Sequence, residues 1–260
     1  MEPDLHSPCI FLSWDSAFWK VPTARILGNK LSPELLTRID HWCVAHDVAC
    51  VYFLARPDDS ETVRLAEANA FRFVDVRVTL QRLLSERDVL FSLRDRPSAV
   101  IRNSHAGDLD ALKAIARISF HDTRFYYDPH FSPTKCDELY AIWIAKDCEV
   151  DPATVLVAEV GEQPVGFITC QSDHTSLIGT IGLIGVAPTA RGLGIGQLLV
   201  EAAMKRFLDS GMRQIQVVTQ GRNVRAIRLY ERTAFLTLQT QLWYHRWYRE
   251  EKRNFRELSG

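Results

Sequence analysis

Arg191-Gly192-Leu193-Gly194-Ile195-Gly196 closes an apolar, β-rich run and opens an amphipathic segment, and residues of these types hold diphosphates. Glycines let the backbone approach a ligand and turn its N–H groups inward. A helix starting at the same place adds the positive end of its dipole, so an anion is stabilised there without a dedicated lysine. A nucleotide-like cofactor is therefore the first expectation. The spacing excludes two common sites. A dinucleotide fold needs Gly-x-Gly-x-x-Gly and an acidic residue about 20 positions on, where this chain has Ser210, Gly211 and Met212. A kinase-type phosphate loop needs Gly-Lys-Ser or Gly-Lys-Thr, and neither follows.

The longer string Val186-Ala187-Pro188-Thr189-Ala190-Arg191-Gly192-Leu193-Gly194-Ile195-Gly196 resembles the acetyl-CoA motif of the GNAT family of N-acetyltransferases. Downstream order agrees. Leu198, Leu199, Ala202, Ala203 and Phe207 recur at helical intervals and Gly211 ends that helix. A short strand from Gln214 to Val218 leads to Asn223-Val224-Arg225-Ala226-Ile227-Arg228-Leu229-Tyr230, which is similar to the family's Asn-x-x-Ala-x-x-Leu-Tyr helix. The resemblance implies acetyl-CoA as cosubstrate and no metal. It assigns the diphosphate to Arg191, Gly192, Leu193, Gly194, Ile195 and Gly196, the pantetheine arm to Asn223, and the general acid on the departing sulfur to Tyr230. It also implies that the strand Thr180 to Val186 splays from its neighbour, so that Leu183, Ile184 and Val186 offer backbone groups to the cofactor. One departure is Ala234 before Phe235, where many relatives carry glycine; a non-glycine residue in a left-handed cap costs roughly 1 kcal/mol.

On the acceptor side, a helix after Asp108 carries Leu112, Ile115, Ala116 and Phe120, and Asp108 is its expected cap. Then the pattern breaks: His121 to Phe131 is aromatic and polar with neither period. Ser132 and Pro133 restart a helix bearing Cys136, Leu139, Tyr140, Trp143 and Ile144. Phe125 and Phe131 are assigned to packing. Asp122, Arg124, Tyr126 and Trp143 are assigned to the acceptor, because rings interleaved with hydrogen-bonding groups suit sugar and base recognition. With the front of the chain, this stretch resembles the dTDP-fucosamine acetyltransferase branch of the family, which implies a dTDP-linked 4-amino-4,6-dideoxygalactose as acceptor. Candidate bases by residue type are Asp122, His121, Asp173 and His174, or an ordered water. Two other readings stay open: an acetyltransferase for another small amine or a protein N-terminus, and a silent acetyl-CoA-binding sensor or scaffold.

These groups need a frame, and the chain repeats part of it. Glu61 to Phe71 aligns without gaps on Arg225 to Phe235, with Arg64, Leu65, Glu67, Ala70 and Phe71 matching Arg228, Leu229, Glu231, Ala234 and Phe235. Each copy follows an apolar strand (Val51 to Ala55; Ile215 to Thr219) and precedes an alternating one (Arg72 to Leu80; Leu236 to Tyr244). The first copy has Ala66 in place of Tyr230 and Asp59 in place of Asn223, and no glycine turn. The expected fold class is α/β (α+β): a GNAT fold with a mixed, mostly antiparallel sheet flanked by helices. A degenerate half-copy over residues 1–96 precedes a catalytic domain over 97–260, with a polar linker at Arg94-Asp95-Arg96-Pro97-Ser98.

A chain of 260 residues, 47% hydrophobic, with net charge −1, is an ordinary globular protein with no electrostatic reason to bind nucleic acid. Met1 to His6 is acidic without a long apolar core, so no signal peptide or membrane span is expected and the cytoplasm is the expected compartment. The basic cluster Arg246 to Arg256, interleaved with Glu250, Glu251 and Glu257, reads as a solvated tail. Cys9, Cys43, Cys50, Cys136, Cys148 and Cys170 form no Cys-x-x-Cys pair and read as reduced, mostly buried thiols. Dispersed histidines argue against a metal site. A homodimer is compatible with the sequence, which does not fix the number of chains.

Overall fold

The structure, a computed structural model, describes residues 7–85 and 99–248. The linker expected at 94–98, the first six residues and most of the basic C-terminal cluster lie outside the described residues. Contacts divide the chain into two compact units that do not follow chain order. Among the described residues, the first holds those up to Arg77, Tyr127–Phe131 and those from Thr240; the second holds Val78–Tyr126 and Ser132–Gln239.

In the first unit, β1 (Cys9–Phe11), α1 (Ser13–Trp19), β2 (Thr23–Ile26), α2 (Pro33–Ala45), β3 (Cys50–Ala55) and α3 (Ser60–Ala68) lead to β4 (Arg72–Leu83), whose residues are shared between the units. β1 pairs antiparallel with β2, β2 parallel with β3, and β3 antiparallel with residues 242–247 near the C-terminus. Ile39, Val51, Phe53, Ala66, Phe71 and Tyr244 are buried together as its core. The loop residues Tyr127–Phe131 join this unit through Asp128. Its fully buried carboxylate accepts from His245 Nδ1 at 2.7 Å, Trp247 Nε1 at 2.9 Å and the His130 backbone N–H at 3.1 Å, and lies 2.6 Å from His130 Nδ1. Burial works to raise this carboxyl's pKa. The hydrogen bond and charge of His245, with His130 and Trp247, outweigh it and hold the group well below the usual carboxylate range. Phe131 packs against Trp19 with ring centroids 4.5 Å apart, and Phe125 is buried in the second unit, both as expected for packing residues.

In the second unit, β5 (Val100–Asn103), α4 (Leu109–Arg117), α5 (Pro133–Val150), β6 (Val155–Val160), β7 (Gln163–Asp173), β8 (Ile178–Val186), α6 (Ile195–Asp209), β9 (Gln214–Gln220) and α7 (Val224–Arg232) follow in order, before β10 (Leu236–Trp247). The strand order is β9-β8-β7-β6-β5, with only the β8–β9 pair parallel. Leu198, Leu199, Ala203 and Phe207 are buried along α6, while Ala202 is half-buried. Gly211, at φ 77°, closes that helix, and Met212 N–H returns to Phe207 O at 2.9 Å. Asp108 does not cap α4 with its side chain. Arg102 holds that carboxylate through Nη1 and Nη2, at 2.7 and 2.8 Å, and His105 N–H donates to it at 2.9 Å. The ion pair takes the oxygens that capping would have used.

The repeat read from the sequence is a repeat of geometry. Asp59 caps α3 by accepting from Thr62 N–H, and Asn223 caps α7 by accepting from Ala226 N–H, each at 3.0 Å. Ala70 and Ala234 are both left-handed at φ 58°. Phe71 N–H returns to Ala66 O at 3.1 Å, and Phe235 N–H to Tyr230 O at 2.9 Å. Both phenylalanines are buried, which holds each alanine in a conformation that costs it about 1 kcal/mol.

Candidate active site

A cavity of about 510 Å³ opens in the second unit between the glycine turn, the end of β8, the start of α7 and the segment after α4. Its wall includes Arg191, Gly192, Gly194, Ile195, Gly196 and Gln197 from the turn and first turn of α6. Gly192 and Gly194 both sit at φ 79°, in the left-handed region that side chains disfavour. Gly194 is the N-cap of α6 and supplies no side chain, so the first amides of a 15-residue helix are left for a ligand. Gly196 has a packing role instead: a Cβ there would stand 3.3 Å from Leu229 Cδ2.

β8 supplies the adjoining wall. Its parallel ladder with β9 stops at Ile181↔Val217, while its antiparallel ladder with β7 continues to Gly166↔Val186. The strands therefore part over the last residues of β8, as the resemblance implied. Successive peptide groups of a strand point to opposite edges. Leu183 N–H donates to Thr169 Oγ1 at 2.9 Å and Ala187 N–H to Val165 O at 2.8 Å, both on β7. By that alternation Ile184 and Val186 face the opening, and both line the cavity. Leu183 does not: its amide is committed to Thr169 beside a register shift in β7, and this corrects the expectation for that residue. The Thr169 hydroxyl carries no pattern in the sequence that would have announced this.

Charge in the cavity is positive on one side. Arg191, Arg225 and Arg232 all line it, in a chain whose net charge is −1. Arg191 is also tied down, donating from Nε to Val186 O at 3.1 Å and from Nη2 to Ile118 O at 3.5 Å. This links the turn to the end of β8 and the segment beyond α4. Sequence reasoning missed Arg225 and Arg232, although both stand three or four residues apart from cavity-lining Leu229 on α7, where a helix presents one face. Leu193 is 59% exposed and is absent from the wall.

Asn223 lines the cavity with its side-chain oxygen already given to the α7 cap, so its amide NH₂ is the part left to donate. Tyr230 is 2% exposed, packs on Phe235 at 5.5 Å and is not on the cavity wall. Burial pushes its phenol pKa up, so it remains protonated across the working pH range.

Of the four candidate bases, His121 and Asp122 line the cavity. Asp173 and His174 sit at the opposite end of the β7–β8 hairpin, beside Ile178; at about 3.4 Å per residue this is roughly 27 Å from Val186. Asp173 instead holds that hairpin's turn, accepting from Thr175 N–H at 2.8 Å and Ser176 Oγ at 2.7 Å. Arg124 lies over the Phe125 ring at 4.4 Å, the Tyr126 hydroxyl donates to Asp137, and Trp143 meets Tyr140 edge-on at 5.2 Å. None of these three is on this cavity's wall. Among the described residues no cluster of side chains could hold a metal, and no helix is long and apolar enough to cross a membrane.

A parted β8–β9 pair with a glycine turn and an uncapped helix at its mouth defines the GNAT fold. Residues 114–235 match the sequence profile of the Acetyltransferase (GNAT) family. The spore coat polysaccharide biosynthesis protein SpsD of Bacillus subtilis (strain 168) is 31% identical over 141 residues, 54% of this chain and 48% of that protein. A mycothiol acetyltransferase of Stackebrandtia nassauensis is 35% identical over 100 residues, 37% of this chain and 33% of that one. The chain thus spans half or less of the curated relatives it matches. A GCN5-related N-acetyltransferase from Sphaerobacter thermophilus shares the fold, with TM-score 0.64 and 17% identity over 92% of this chain and 76% of that one.

Proposed function

We propose that the protein is an acetyl-CoA-dependent N-acetyltransferase whose acceptor is the amino group of a small amino sugar carried on a nucleotide, dTDP by resemblance. One observation carries the reading: the free edge of β8 and the uncapped start of α6 open into the same arginine-lined cavity. An acyl thioester with a diphosphate handle fits that pairing. The amides of residues 192–197 and Arg191 hold the diphosphate, with Arg225 and Arg232 adding positive charge. The Asn223 amide and the peptide groups of Ile184 and Val186 orient the arm.

Acyl transfer needs a neutral amine, donors for the charge that develops on the carbonyl oxygen, and a proton for the departing thiolate. The backbone N–H of Val186 faces the opening and supplies the oxyanion donor. Tyr230, kept protonated by burial, donates toward the sulfur. Support for a sugar acceptor comes from Asp122 on the cavity wall and from the likeness to SpsD, whose name concerns spore coat polysaccharide biosynthesis. The mycothiol acetyltransferases favour a second reading, another small amine. The half-copy in the first unit serves as scaffold, and the expected place of action is the cytoplasm.

The test is release of CoA thiol from acetyl-CoA with a panel of dTDP- and UDP-linked amino sugars, free glucosamine and a short peptide with a free N-terminus. Turnover of a nucleotide-linked sugar above the rest supports the proposal. Preference for glucosamine or the peptide moves the assignment to the second reading. Binding of acetyl-CoA with no thiol release on any amine indicates a silent sensor.

A further inference from the structure

His121, on the cavity wall, forms a connected set with Asp137 and Tyr126 within the second unit. His121 is on the wall, and its Nε2 lies 3.3 Å from Asp137 Oδ1. The same oxygen accepts the Tyr126 hydroxyl, and the His121 ring meets the Tyr126 ring edge-on at 5.1 Å. Burial and then Asp137 push the Tyr126 phenol up, so it stays a donor and anchors the carboxylate on α5. A carboxylate beside one imidazole nitrogen draws the ring proton there and leaves the other as the basic lone pair. Here that is Nδ1, and no described residue bonds it. Asp122, the other wall candidate, has no hydrogen bond or ion pair among the described residues to fix its direction.

We propose that His121 Nδ1 is the base that takes the acceptor's proton, and that Asp137, braced by Tyr126, is the positioning residue that sets the ring's tautomer and direction. The proposal rests on the acetyltransferase reading. An acceptor ammonium loses one proton to Nδ1, which passes it to solvent. The freed amine then forms the C–N bond as the C–S bond of the thioester breaks, and its second proton ends on the departing sulfur. Amide, thiol and one released proton balance the reaction. Tyr126, assigned from the sequence to acceptor contact, here acts one step removed, through the carboxylate.

The test uses the full chain with ¹⁵N-labelled histidine, acetyl-CoA titrated by calorimetry, and CoA release on the amine panel above. The wild-type His121 ring should carry its proton on Nε2, and Asp137→Asn should give a mixture of tautomers. His121→Ala should lose about 10²-fold or more in kcat, with part restored by added imidazole. Asp137→Asn should lose about 10-fold or more in kcat while acetyl-CoA affinity stays within about 2-fold, the split expected of a residue acting through the base. Asp137→Glu should recover part of that loss. Wild-type turnover in His121→Ala, a loss imidazole does not restore, or an Nδ1–H ring in the wild type would each overturn the assignment. Failure of the acetyltransferase reading is distinguishable, because wild-type protein would then release no thiol on any amine, and both proposals would fall together.

Discussion

Gly194→Ala puts the cofactor turn to a quantitative test. Gly194 caps α6 at φ 79°, ψ 0°, where an alanine costs about 1–2 kcal/mol. That energy has two places to appear. If the turn keeps its shape, the cost falls on folding: with a shift of about 2–4 °C per kcal/mol, the melting temperature drops by about 2–8 °C and CoA affinity is unchanged. If the turn relaxes to a right-handed conformation, its amides swing off the diphosphate, and the cost falls on binding as roughly a 5–30-fold rise in Kd. The two losses should therefore sum to about 1–2 kcal/mol, read by thermal denaturation and calorimetric titration of CoA on the same preparation. Gly196→Ala is the control. Its residue lies inside the helix, where alanine gains up to about 1 kcal/mol over glycine, against a Leu229 methyl only 3.3 Å away that must give slightly. A Gly194→Ala protein that melts and binds CoA like the wild type would refute both the left-handed cap and the use of its amides.

Tyr230→Phe should lower turnover by about 10²–10⁴ while leaving CoA affinity within a few-fold, because it removes one hydroxyl and leaves the glycine turn, Asn223 and the β8 edge untouched; steady-state kinetics and calorimetry separate the two. Ala234→Gly should raise the melting temperature by about 1–4 °C. Relief of about 1–2 kcal/mol of left-handed strain exceeds the roughly 0.4–1 kcal/mol that glycine adds to the unfolded chain's entropy, and Ala70→Gly should do the same independently in the first unit. Asp128→Asn should destabilise the first unit by about 3–5 kcal/mol, since it removes the charge from a buried, fully bonded carboxylate. The folded pKa of Asp128 is depressed, so its contribution is complete above the unfolded value near about 3.9 and is lost as pH falls from there toward the folded value. Urea titrations from pH 7 down to 3 should show a constant gap between wild type and Asp128→Asn down to about pH 4, and a gap that narrows by roughly 1 kcal/mol, without closing, by pH 3.

The cofactor side was legible in the sequence because its demands are local. A turn that needs positive φ twice in three residues must show glycines, and a helix that follows must show periodic leucines. The repeat was legible for the same reason, since eleven residues align without gaps in each copy, but the left-handed exits at Ala70 and Ala234 were not written in the residue types, because alanine does not announce a positive φ. Leu183 escaped because its amide is claimed by Thr169, 14 positions away in sequence, across a bulge that alternation alone does not reveal. Asp108 was misjudged because Arg102, on the preceding strand, takes the oxygens a cap would use. The acceptor loop was the hardest to read. Aromatic and polar residues there serve two masters, with Asp128 and Phe131 packed in the first unit and His121 and Asp122 on the cavity, and nothing in their types distinguishes the two.

A crystal structure with acetyl-CoA tests the central claim most directly. The account expects the diphosphate against the amides of residues 192–197, the thioester carbonyl within hydrogen-bond reach of Val186 N–H, and the sulfur close to the Tyr230 hydroxyl. A cofactor seated elsewhere, or a diphosphate that makes no contact with the turn between Arg191 and Gln197, would contradict it.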